Sequence, residues 1–173
     1  MEKRRVVITG MGVISPIGIG KEVFFENLKE GKSGIDFINR FDASQLPTKI
    51  AAEVKDFEPT LYLNKKEARR MDRYAQFAVA ASKMAIDDSG IELDSIDENR
   101  MGVCIGSGIG GIETFEKQYK IMIEKGPARI SPFFIPMMIS NIGAGQISMT
   151  FNAKGPNMTI VTACASGTNA IGE

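Results

Sequence analysis

The chain has 173 residues, 43% of them hydrophobic and 24% charged, and its 21 basic side chains are balanced by 21 acidic ones. That length supports a domain with a real core, and the composition is that of an ordinary globular protein. Zero net charge argues against wholesale binding to nucleic acid or to a membrane surface. The two cysteines, Cys104 and Cys164, make no disulfide framework and suit a reducing cytoplasm.

Taken in chain order, Glu2-Lys3-Arg4-Arg5 followed by Val6-Val7-Ile8-Thr9 imitates the start of a signal peptide. The apolar run is too short for one, and Gly10 ends it. No stretch approaches the ~20 apolar residues that span a bilayer. Residues 5–9 are expected as a buried strand, being apolar or β-branched without alternation. The segment 10–18 is a glycine-punctuated turn. A helix follows over 21–30, with Phe24 and Leu28 on one face and Gly31 as its stop. Residues 32–60 read as loop, with a short strand over 49–54. Asn64 opens a helix with Glu67 at the capping-box position, and its exposed face carries Lys65, Lys66, Arg69, Arg70 and Arg73. A longer helix over 74–89 has an apolar stripe of Phe77, Ala78, Ala81, Met84 and Ala85 and ends at Gly90.

The second buried strand is expected over 101–105, leading into Gly106-Ser107-Gly108-Ile109-Gly110-Gly111 and a helix over 112–124. Gly126-Pro127 stops that helix, and residues 131–136 form an irregular apolar loop. Residues 137–151, apolar nearly all round, read as one centrally buried helix. The last strand, 157–162, ends at Cys164. This order of elements points to an α/β protein with a mainly parallel sheet. Ten methionines fill core gaps or line pliable apolar pockets, the first being the commoner use.

Cys164 is the residue that points to chemistry. It lies where a β-branched run, Thr159-Ile160-Val161-Thr162, gives way to small residues that open a helix. Partial positive charge and free N–H groups at a helix start favour a thiolate and can hold an oxyanion. The competing reading is a buried structural cysteine, a frequent fate of the residue; Cys104, mid-strand, is read as plain packing. A cysteine nucleophile usually works with a nearby base, most often histidine, and the chain has none. Glu173 ends the sequence inside the helix that Cys164 opens, so the chain is expected to be the N-terminal part of a longer enzyme. The loop 106–111 fits G-x-G-x-x-G after a strand, which makes a dinucleotide site a rival reading. That reading needs an acidic strand end about 20 residues on, where Lys125-Gly126-Pro127-Ala128-Arg129 stands instead. The basic cluster 65–73 is either a solvated helix face or a surface for an acidic partner.

Several segments together resemble the β-ketoacyl-acyl-carrier-protein synthases of the elongating, synthase II kind. They are residues 5–12 (Arg5-Val-Val-Ile-Thr-Gly-Met-Gly12), Lys66-Glu-Ala-Arg-Arg-Met-Asp-Arg73, the loop 106–111, Ser131-Pro-Phe-Phe-Ile-Pro136 and Thr162-Ala-Cys-Ala-Ser-Gly167. The resemblance runs the full length in order. It implies the thiolase-like fold, an α-β-α-β-α layered sandwich, with residues 1–173 as most of its N-terminal half, cut before its end. It implies a decarboxylative Claisen condensation in fatty acid elongation, with Cys164 as the acyl-accepting nucleophile, and a cytoplasmic homodimer served by acyl- and malonyl-loaded acyl carrier protein. No cofactor, metal, nucleic acid or membrane is implied. Ile109 matches a position lining the acyl tunnel and Phe134 one reaching the partner subunit's tunnel. Lys66, Arg69, Arg70 and Arg129 match the patch that receives the acidic carrier. The family often has two adjacent basic residues at the last loop; here the first is Ala128. The family's histidine pair lies downstream of the nucleophile. A non-catalytic thiolase-fold partner that sets chain length is the alternative, and such partners lack the cysteine.

Overall fold

The computed structural model describes residues 5–173, so the Glu2-Lys3-Arg4 start of the apparent leader lies outside the described residues. The chain divides into two compact units. One holds the chain up to Glu58 together with Lys83–Gly90, and the other holds Pro59–Ser82 with Ile91–Glu173.

The first unit is built from two small hairpins and a helix. Strands β1 (Ile14–Ser15) and β2 (Gly18–Ile19) pair antiparallel around a Pro16-Ile17 turn, which the Ser15 hydroxyl closes by donating to the Gly18 carbonyl at 3.0 Å. Helix α1 (Lys21–Lys29) follows, and the chain leaves it through Gly31 at φ +67, the expected left-handed stop. The Asp88 carboxylate accepts from the Met11 N–H at 2.9 Å and from the Lys21 ammonium. These bonds, the lysine's foremost, hold its carboxyl below the ordinary carboxylate range. Strands β3 (Ile35–Phe37) and β4 (Ile50–Ala52) form the second hairpin. The strand expected over 49–54 is therefore present in shorter form, while its partner lies in a segment read as loop.

Residues 5–9 are not a buried strand. Val6, Val7 and Ile8 are 91%, 63% and 81% exposed. A strand buried on both faces needs a lateral hydrogen-bonding neighbour, and the described residues offer this segment none.

The second unit carries the site. Helix α2 spans only Lys65–Ala68. Its N-cap Asn64 accepts from the Glu67 N–H at 2.9 Å, as expected. Arg69 and Arg70 lie beyond its end, because the Gln76 amide donates to the Ala68 and Met71 carbonyls and closes the turn. Helix α3 (Arg73–Ser89) buries Ala75, Val79 and Ala80, not the expected stripe led by Phe77. Alanines ring much of this helix, so periodicity could not choose between its faces; the Phe77 ring instead lies under the Arg73 guanidinium. Strand β5 (Val103–Gly106) runs parallel to β6 (Asn157–Ile160), with Val103 opposite Asn157 and Gly106 opposite Ile160. Among the described residues this two-stranded pair is the whole of the parallel sheet. Leu63, Met71, Ala75, Val79, Val103, Ala144 and Ile147 form the buried core beside it.

Helix α4 (Ile112–Lys125) matches expectation within a residue. The expected helix 137–151 is two helices, α5 (Phe134–Met138) and α6 (Ile142–Phe151), with Ile139 extended between them. The break has a hydrogen-bonding cause. The Met138 carbonyl accepts from the Gly111 N–H at 2.8 Å, and the Ile139 carbonyl accepts from the Tyr74 hydroxyl at 2.6 Å. The Met138 carbonyl is thus taken by a partner outside the helix, and the Ile139 carbonyl is shared between the Tyr74 hydroxyl and the Ile142 N–H at 3.2 Å. Nor is α6 buried all round: Gly143, Ala144 and Ile147 face the core, whereas Met149 is 68% exposed.

Burial pushes the Tyr74 phenol up to about 12. The folded protein therefore keeps this proton where an unfolded chain would release it. The stability so contributed is full below pH 10 and is lost as pH rises through 12. Tyr74→Phe should cost about 1 kcal/mol at neutral pH through the lost bond to Ile139. Its melting temperature should also fall less steeply than wild type between pH 10 and 12; parallel curves would show that Tyr74 is not the titrating group.

Candidate active site

Three pieces of chain make up the candidate site. The first is its own corner. After β6 a single 3-10 turn, Ala163–Ala165, leads directly into α7 (Ser166–Gly172). Ala163 sits at φ +51, a left-handed conformation that costs a non-glycine residue roughly 1–3 kcal/mol. Ser166, 4% exposed, holds the corner in that shape. Its hydroxyl accepts from the Thr162 N–H at 2.9 Å and donates to the Ala163 carbonyl at 2.7 Å. The Asn169 amide adds a bond to the Thr162 hydroxyl at 2.9 Å. Cys164 is presented at the crest, exposed and unbonded to Cys104, and its N–H has no hydrogen-bond partner among the described residues. The thiol is therefore not the buried structural cysteine of the competing reading. Cys104 sits half-buried in β5, beside Met158.

The second piece is the glycine loop between β5 and α4. A methyl group on Gly106 would overlap the Ser166 carbonyl group and the Gly167 nitrogen, so only glycine lets α7 begin against the end of β5. Gly108 lies beside Ala163. A methyl group on Gly111 would overlap the Met137 carbonyl oxygen and crowd the Asp72 side chain. The loop's glycines thus admit neighbouring backbone. A pyrophosphate would meet carbonyl oxygens at Gly110 and Gly111, which disfavours the dinucleotide reading.

Asp72, 6% exposed, fixes where this loop ends. One carboxylate oxygen accepts from the Tyr74 N–H in the first turn of α3 at 3.2 Å. The other accepts from the Thr114 N–H at 2.8 Å and the Thr114 hydroxyl at 2.6 Å, in the first turn of α4. Gly111 has no side chain with which to cap α4, and Asp72 supplies that cap from another segment. One carboxylate thus caps two helices.

The third piece is an apolar cavity of about 370 Å³ lined by Ile109, Ile112, Phe115, Met138, Ile139 and Ser140. Ile109 is on its wall, as expected. Phe134 is one contact removed, its ring 6.2 Å from that of Phe115.

The basic residues Lys66, Arg69, Arg70 and Arg129 are all exposed. Arg70 lies over the Phe133 ring, with Cζ 4.9 Å from the centroid. Arg129 borders a separate open cavity of about 550 Å³ with Ile121 and Lys125. No group of three or more metal-ligating side chains occurs among the described residues, and none of their helices is long and apolar enough to cross a membrane. Sequence reading missed Ser166 and Asp72. Each is followed or preceded by a helix start, but the partners they tie are set by tertiary approach.

Comparison with known proteins agrees with this geometry. The family model described as "Beta-ketoacyl synthase, N-terminal domain" matches residues 3–173, and the chain belongs to that family. It is 51% identical over 173 residues to the 3-oxoacyl-[acyl-carrier-protein] synthase 2 of Coxiella burnetii and 49% identical to that of Synechocystis sp.. In both cases all of this chain aligns, and it spans 42% of the relative's length. Among solved structures, the ishigamide ketosynthase/chain length factor superposes with a TM-score of 0.90 at 32% identity, over 97% of this chain and 42% of that one. A β-ketoacyl synthase from Burkholderia phymatum gives 0.81 at 26%, over 98% and 42%. The α/β architecture expected from the sequence is thus that of the ketosynthases, the thiolase-like fold.

Two substitutions test the site's scaffold. Ser166→Ala leaves the Thr162 N–H without its acceptor and should cost about 1–3 kcal/mol in urea unfolding; no loss would mean that the corner holds itself. Asp72→Ala strips the cap from two helices and should cost about 2–4 kcal/mol, with a loss of far-UV helical signal on mild heating. A change below 0.5 kcal/mol, about the size of a neutral surface substitution, would contradict the double-cap role.

Proposed function

We propose that this chain is the nucleophile-bearing part of a 3-oxoacyl-[acyl-carrier-protein] synthase whose full length is that of its relatives, with residues 1–173 as one ketosynthase domain segment. The Cys164 thiolate attacks the carbonyl of an acyl thioester carried by acyl carrier protein. The tetrahedral oxyanion collapses, expels the carrier's thiolate and leaves an acyl-Cys164 thioester. Malonyl carrier protein then loses CO2, and the resulting carbanion attacks that thioester. A carbon–carbon bond forms, the Cys164 sulfur leaves as thiolate, and a 3-oxoacyl product stays on the carrier.

One observation carries this reading. Cys164 is an exposed thiol on a strained, glycine-admitted corner, in a chain about half identical to named synthases. The free Cys164 N–H supplies one oxyanion donor. The cavity beside Ile109, with Phe134 behind Phe115, receives the fatty chain. Lys66, Arg69, Arg70 and Arg129 receive the acidic carrier, as a solved ketosynthase of the same fold has been captured with its acyl-carrier protein. Tyr119 and Ile123 leave apolar surface on α4 beyond the cavity wall, which supports a homodimer. The chain holds no histidine, so none of its side chains offers an imidazole for proton handling during decarboxylation. Two free cysteines suit a reducing compartment, which supports a cytoplasmic enzyme.

Incubating the protein with an acyl thioester should add one acyl group to Cys164, read by peptide mass spectrometry, and Cys164→Ala should abolish the adduct. An adduct that survives the substitution, or none on wild type, would refute the acyl-enzyme reading; the second result favours a non-catalytic partner.

A further inference from the structure

We infer that Phe133 is a positioning residue for docking of the acidic carrier, acting through Arg70. The inference rests on the synthase reading above. Among the four basic residues of the proposed docking patch, Arg70 is the one whose charged group has an aromatic partner among the described residues: its Cζ lies 4.9 Å from the Phe133 ring centroid. No carboxylate pairs with it there. A guanidinium over a ring face is held there by cation–π attraction and still has N–H donors to offer a carboxylate.

The backbone that carries the ring is fixed on both sides. The Phe133 N–H donates to the Ser131 hydroxyl at 3.1 Å, and its carbonyl accepts from the Met137 N–H at 3.0 Å as α5 begins. Ser131 is in turn fixed to α4, its N–H donating to the Gln118 side chain at 2.8 Å. Phe133 is itself 42% exposed, so the contact sits at the surface where a partner arrives. Phe134, next in the chain, packs on Phe115 at the cavity wall. One short loop thus bears Arg129, the platform for Arg70 and the aromatic behind the cavity.

An unrestrained arginine loses much rotamer freedom when it docks, and a pre-stacked one loses less. Removing the ring should therefore weaken carrier binding about three- to tenfold, the size of one immobilised long side chain. The number of charges at the interface is unchanged, so the slope of log affinity against log salt should stay as in wild type.

The test is a double-mutant cycle on carrier binding, measured on the full-length protein carrying this sequence. Phe133→Leu should raise the Kd for acyl carrier protein three- to tenfold, while Phe133→Tyr, which keeps the ring, should leave it within twofold. In an Arg70→Ala background Phe133→Leu should have no further effect. An equal effect in both backgrounds would show that Phe133 touches the carrier directly, and no effect in either would show that the stack is idle; both results overturn the inference and leave the synthase reading standing. Should Phe133→Leu not fold, Phe133→Met takes its place in both backgrounds, with the same results expected and the same results overturning the inference. Wild-type protein that binds no carrier at saturating concentration would instead remove the docking part of the synthase reading, and this inference with it.

Discussion

The architecture of the site depends on how closely the end of β5 approaches the first turn of α7. Parallel pairing sets Gly106 opposite Ile160, and the missing side chain at Gly106 lets the Ser166–Gly167 backbone occupy the space a methyl would need. Without that approach α7 could not begin immediately after β6, and the corner bearing Cys164 would open into a longer loop. The left-handed Ala163 is a consequence of the same compression. The Ser166 hydroxyl, bonded on both sides of it, offsets part of the strain.

The glycine loop carries this constraint outward. Its first glycine meets α7, a middle one lies beside Ala163, and its last accepts the approach of Asp72 and the α5 carbonyls. Asp72 then ties the starts of α3 and α4 together, while Tyr74, two residues on, holds the break between α5 and α6. The nucleophile corner, the cavity wall and the helix starts are therefore one connected set of close contacts, most of them through backbone. Such a set tolerates little change in volume, which is why the loop is built of glycine and its neighbours of alanine and serine.

Much of this was legible in the chain because it rests on local signals. The glycine stops at Gly31, Gly90 and Gly126 all adopt positive φ, Asn64 caps as its spacing requires, and the run into Cys164 ends at the corner its composition suggested. What failed depended on tertiary partners. Residues 5–9 have the content of a strand but no neighbour to pair with among the described residues. The apolar stretch 137–151 has the content of one helix, yet its Met138 carbonyl goes to Gly111 and its Ile139 carbonyl is shared with Tyr74. The alanine-rich α3 has several acceptable faces, and burial chose the one through Ala75 and Val79. Lys66, Arg69, Arg70 and Arg129 could be placed on the surface from sequence, but the Arg70–Phe133 stack joins segments far apart in the chain and carries no local signature.

The account turns on Cys164 being the thiol that the fold displays while Cys104 is the one it packs. The direct measurement is the rate at which iodoacetamide alkylates each cysteine in the folded protein, followed peptide by peptide. Cys164 should be modified at least tenfold faster, with Cys104 reaching a comparable rate only in denaturant. Equal rates in the native state, or faster modification of Cys104, would contradict the claim that the β6–α7 corner presents the reactive sulfur.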